Sequence, residues 1–128
     1  MHEKDFDRWI GLKKRLHNRV DATYAHKRDV WWCALGANVG SEIDGKNENF
    51  ERPVLILRAY NKDMLLVAPM TGKERRESFY MRVLVGSTAN WIALTQIRVI
   101  SNKRLLRKVG ILPEDQFLLV KKSIQAFL

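Results

Sequence analysis

The sequence predicts an α+β domain that is mainly β, a small twisted antiparallel sheet or barrel flanked by helices at both ends of the chain. Two observations carry this. From Asp29 onward, short apolar runs alternate with turn residues at intervals of about eight to twelve residues, which is strand spacing. Before Asp29 the apolar period is helical instead, and at the far end capping and proline signals mark helices again.

The elements follow in order. Over residues 4–20, Phe6, Trp9, Ile10, Leu16 and Val20 fall on one arc of a helix, and Arg8, Arg15 and Arg19 on another. Residues 1–28 therefore read as a helical extension with a linker, and residues 29–128 as the main domain. Val30–Leu35 is a strand that ends in Gly36-Ala37-Asn38-Val39-Gly40-Ser41, where glycines permit tight turns. Pro53–Tyr60 and Met64–Met70 form a hairpin across Asn61-Lys62-Asp63, with the proline tolerated as first strand residue. Phe79–Val85 and Trp91–Ile100 are further strands with a turn at Gly86-Ser87-Thr88, and Trp32 and Trp91 are expected in the core. Two helices close the chain. Ser101 caps Asn102–Val109, with Gly110 past its end. Pro113 opens the second, where Glu114 and Asp115 suit the first turn and Phe117, Val120, Ile124 and Phe127 share a face.

Composition narrows the function classes. The 128 residues suit one domain, and 46% hydrophobic with 29% charged residues excludes a disordered tail. Apolar runs such as Leu65–Met70 are too short to span a bilayer. The N-terminus lacks the basic-then-apolar pattern of a secretory signal, so a cytoplasmic location is expected. The 23 Lys and Arg against 14 Asp and Glu give +9, a balance that points to nucleic acid, an anionic surface or an acidic protein as partner. The charge is uneven: Arg98 to Lys108 holds five bases and no acid, whereas Glu42 to Glu51 holds four acids and one lysine. Cys33, the one cysteine, reads as a buried small hydrophobe. No Cys/His cluster has ligand spacing, and no metal or other cofactor is expected.

Four segments in order carry a resemblance to a known family. They are Asp29-Val30-Trp31-Trp32…Leu35-Gly36, then Val39-Gly40-Ser41-Glu42 with Arg52-Pro53-Val54-Leu55-Ile56, then Ala68-Pro69-Met70-Thr71, and last Leu94-Thr95-Gln96-Ile97-Arg98-Val99-Ile100 leading to Lys103-Arg104-Leu105. Together they resemble the MazF/PemK toxins of type II toxin–antitoxin systems. The resemblance implies an SH3-like barrel with helices, a homodimer with single-stranded RNA lying across its interface, and a cognate antitoxin whose acidic tail occupies the RNA groove. It also implies metal-independent cleavage that leaves a 2′,3′-cyclic phosphate and a 5′ hydroxyl. By matched motif position, Arg52 and Thr71 would be the catalytic pair, with Glu42 in the supporting loop and Gln96 nearby. The nine residues between Glu42 and Arg52, Thr95 in place of an acid and the N-terminal helix depart from the family pattern.

The chemistry suits these residue types. Self-cleavage of RNA needs the 2′ hydroxyl aligned, the phosphorane neutralised and two protons managed. All three histidines (His2, His17 and His26) precede the main domain, so a histidine acid–base pair is closed to it. Arginine is a poor base but a good bidentate phosphate ligand, which assigns Arg52 to the non-bridging oxygens and Thr71 to a hydroxyl hydrogen bond. Glu42 is a candidate proton acceptor or a loop anchor. Lys73, Arg75, Arg76, Tyr80, Trp31 and Phe50 are candidate RNA contacts. Two other readings remain: a non-catalytic toxin of the same fold that inhibits a protein target such as gyrase, and an RNA-binding module with a decayed site.

Overall fold

The computed structural model describes Arg8, residues 24–36 and residues 51–128. The expectations for the helix over residues 4–20, for Glu42 and its Gly-Ser-Glu loop, and for Phe50 lie outside the described residues.

Seven strands and one helix make up the rest. The strands are β1 (Asp29–Ala34), β2 (Glu51–Ala59), β3 (Met64–Thr71), β4 (Tyr80–Val85), β5 (Thr88–Ala93), β6 (Arg98–Ser101) and β7 (Leu105–Ile111), followed by α1 (Glu114–Ala126). The sheet runs β4-β5-β3-β2-β1-β7, all described pairs being antiparallel, with β6 joined to β3 off that path. β4 and β7 end the path unpaired with each other, so the sheet is not closed into a barrel.

Local chemistry sets the turns. At the β2–β3 hairpin Asn61 Oδ1 accepts from the Asp63 and Met64 amides at 2.8 and 2.9 Å, the side-chain mimic of a backbone turn. Gly86, at φ 61°, turns β4 into β5 in a conformation that glycine adopts without steric cost. Arg28 takes a similar left-handed conformation without being glycine, at φ 81°. Three bonds hold it: its amide to the Ile56 carbonyl, its carbonyl from the Leu112 amide, and its Nε to the Leu112 carbonyl.

Alternation along the strands divides the core in two. Val30, Leu55, Leu57, Ala68, Met70, Val83 and Ile92 pack with Phe117, Val120 and Ile124 of α1. On the opposite face Cys33, Leu35, Val54, Ile56, Leu65, Val67, Ile100 and Leu105 form the second cluster.

Five sequence expectations need correction. The helix expected over Asn102–Val109 is a 3-10 turn at Asn102–Arg104 followed by β7. Ser101 still caps, its hydroxyl accepting from the Lys103 amide at 3.2 Å, but Gly110 lies inside β7, opposite Val30. A helix so short is marginal on its own, and the ladder offered by the free edge of β1 outweighs it. The strand expected over Trp91–Ile100 breaks into β5 and β6, because β6 takes Met64–Val67 of β3 and β5 takes Met70–Thr71 of the same edge. β2 begins at Glu51, two residues before Pro53. Trp32 and Trp91 are half-buried at the surface, and Phe127, at 46% exposure, lies past the end of α1 instead of packing with Phe117.

Candidate active site

β2 starts where β3 ends, and this places Arg52 and Thr71 together. The β2–β3 register pairs Val54 with Pro69, and continued by two residues it sets Arg52 opposite Thr71. Both side chains are buried, at 8% and 3% exposure. Both also line one cleft of about 480 Å³, with Trp32, Glu51, Pro53, Val85, Asn90 and Val109 among its other walls.

Two networks fix the surroundings. Glu51 is held bidentately by Arg107, whose Nη1 and Nη2 donate to its carboxylate oxygens at 3.1 and 3.0 Å. That bond firms the proton on the Arg107 guanidinium, which also lies over the Trp32 ring at 5.0 Å. Behind Arg52, its β1 partner Cys33 is sealed in the core. Burial pushes the Cys33 thiol up to about 12, while Arg104 and Arg98 pull it the other way. The thiol is therefore protonated at neutral pH, which removes it as a nucleophile. Burial, and next Arg98, lower the pKa of Arg104, whose Nη1 donates to the Ala34 carbonyl at 3.4 Å.

Thr71 Oγ1 accepts from the Lys73 amide at 3.2 Å, and this turn bond leaves the hydroxyl proton to donate elsewhere. On the ribonuclease expectation drawn from the sequence, Thr71→Ala slows RNA cleavage by up to roughly tenfold, the worth of one neutral hydrogen bond. Thr71→Ser should restore the rate. Full activity in a folded Thr71→Ala protein would remove Thr71 from the mechanism.

The other expected site residues lie apart. Gln96 occupies the turn between β5 and β6, its amide bonded to the Ala93 carbonyl at 3.2 Å, so it is not the strand residue expected. Lys73, Arg75 and Arg76 are exposed on the segment after Thr71, interspersed with Glu74 and Glu77. Arg75 packs over the Tyr80 ring at 5.5 Å. None of these five residues lines the cleft. Among the described residues there is no group of three or more His, Cys, Asp or Glu that could hold a metal ion.

Sequence reading missed the Glu51–Arg107–Trp32 arrangement and Asn90. With residues 102–109 read as helix, Arg107 could not be placed beside β1. In the sequence Glu51 reads as part of an acidic run or as an ion-pair partner of Arg52, whereas in the fold Arg107 balances its charge.

Residues 26–128 match the family model of the PemK-like, MazF-like toxins of type II toxin–antitoxin systems. The chain belongs to that family. No curated protein sequence matches it. Among solved structures, MazF of Deinococcus radiodurans superposes with a TM-score of 0.69 at 17% identity, over 82% of this chain and 96% of that one. Mycobacterium tuberculosis toxin MazF-mt6 gives 0.58 at 21% identity, over 78% and 96%. A mycobacterial endoribonuclease in complex with its cognate antitoxin gives 0.62 at 11% identity, over 80% and 92%. At these identities the likeness shows a shared MazF fold. Membership covers Arg52, Thr71, Gln96 and the whole described sheet. Among the described residues, no helix of this MazF-like toxin is long and apolar enough to cross a membrane.

Proposed function

We propose that this toxin is a metal-independent endoribonuclease that cuts single-stranded RNA, with Arg52 and Thr71 at its centre. The observation that carries the reading is the meeting of these two buried side chains, from separate strands, at one cleft. In the reaction the substrate's 2′ oxygen attacks phosphorus and the bond to the 5′ oxygen breaks. The products are a 2′,3′-cyclic phosphate and a 5′ hydroxyl. The Arg52 fork pairs with the non-bridging oxygens, whose negative charge grows in the transition state. The Thr71 hydroxyl donates to the same phosphate. Glu42 serves as proton acceptor or as anchor of its loop. Gln96, Lys73, Arg75, Arg76 and Tyr80 contact RNA beyond the cleft.

The toxin acts in the cytoplasm as a homodimer and is neutralised by an antitoxin whose acidic segment competes with RNA for its groove. Solved neighbours include MazE–MazF complexes of Deinococcus radiodurans, which supports that partner class. Incubation of the purified protein with a long single-stranded RNA in excess EDTA tests the reading. Discrete fragments are expected. Intact RNA that stays bound would point to a decayed site, and intact, unbound RNA to a toxin with a protein target.

A further inference from the structure

We propose that the N-terminal amphipathic segment, residues 4–20, docks its apolar arc into a second groove of its own chain, one that shares no lining residue with the Arg52 cleft. This groove has a volume of about 540 Å³. Leu57 near the end of β2, Leu66 of β3, Ile97 after β5 and Ile124 of α1 give it an apolar floor. Leu57 and Ile124 belong to the core cluster under α1, and Leu66 and Ile97 are half-buried against it, so the floor is the margin of that core. Leu128, 92% exposed, extends the apolar surface outward. Covering such a surface is favourable in proportion to the apolar area removed from water.

Position and chemistry single out the occupant. Lys27 stands on the wall of the groove, so the chain arrives there directly from its N-terminal segment. Val20 is seven residues before Lys27, at most about 25 Å of extended chain, and a helix over residues 4–20 is itself about 25 Å long. The segment is therefore tethered within reach, which spares it most of the entropy that a free partner loses on binding. Phe6, Trp9, Ile10, Leu16 and Val20 make an apolar arc too large to leave in water. Arg8, from the other arc, is helical and exposed, as this docking requires. The charges fit as well. Lys27, Arg58 and Lys121 rim the groove, and no Asp or Glu is among its described lining residues. At 100° per residue Glu3 and Asp5 border the apolar arc on either side, while Arg8, Arg15 and Arg19 turn away from it. Lys13 falls on the arc and reaches solvent along its stem.

The test uses the full chain with a photoreactive benzophenone amino acid in place of Trp9, in place of Phe6 as a second probe should the first fail to fold, and in place of Arg8 as control. After irradiation the adducts are located by mass spectrometry. Mixing unlabelled with nitrogen-15 chains separates links within one chain from links between two. The Trp9 or Phe6 probe should link within its own chain to the segments that line the groove, around Leu57–Leu66, Ile97 and Lys121–Leu128, and the Arg8 probe should not. Trp9→Ala and Leu66→Ala should each lower the melting temperature by about 5 °C or more. The double variant should lose clearly less than the sum, because each substitution removes one side of the same contact. Links to another part of the chain, no links at all, or additive losses in melting temperature would overturn the proposal. Links between chains would overturn it in favour of a second copy as the occupant. Neither readout involves RNA, so the docking stands or falls apart from the ribonuclease reading.

Discussion

Arg52→Ala is expected to slow RNA cleavage by about a hundredfold or more, the usual loss when one preorganised transition-state contact is removed. The charge on the scissile phosphate rises as the 2′ oxygen adds, and a guanidinium facing it binds the transition state better than the ground state. Arg52 is buried to 8% exposure at the start of β2, so truncation also removes packing near Cys33. Activity therefore has to be read beside melting temperature. Arg52→Lys supplies the second comparison: it keeps the charge but lacks the planar fork, and is expected to recover only part of the rate. Near-normal cleavage by a folded Arg52→Ala protein would take Arg52 out of the chemistry.

Much of the sheet was legible because its signals are local. Asn61 at the β2–β3 turn, Gly86 between β4 and β5, and Pro113 with Glu114 and Asp115 at the start of α1 each act within a few residues of themselves. What was not legible depends on distant partners. Leu105, Leu106 and Val109 satisfy a helical period, and only the open edge of β1 makes them a strand. The two halves of β3's outer edge are claimed by different strands, which no local pattern announces. The same holds for the site. Arg52 and Thr71 could be named by motif, but that Glu51 neutralises Arg107 over Trp32 follows only from β1, β2 and β7 lying side by side.

A substrate carrying 2′-deoxyribose at the nucleotide whose 2′ oxygen attacks is expected to be inert at that bond while still binding. The effect should be larger than that of any side-chain substitution, because it removes the nucleophile itself. Neither histidine nor cysteine replaces it: residues 29–128 contain no histidine, and the Cys33 thiol is buried and protonated. Contacts to base and phosphate survive the change, so the deoxy strand should act as a competitive inhibitor of RNA cleavage.

The most direct measurement is one time course, in EDTA, of a single-stranded RNA and its singly 2′-deoxy counterpart with wild-type and Arg52→Ala protein, the product ends being identified by mass. Cutting of the RNA alone, by wild type at full rate and by the variant at about a hundredth or less, with 2′,3′-cyclic phosphate and 5′ hydroxyl ends, is the expected result. Cleavage of the deoxy strand at the same bond, or a wild-type rate that vanishes with EDTA and returns with a divalent cation, would contradict it.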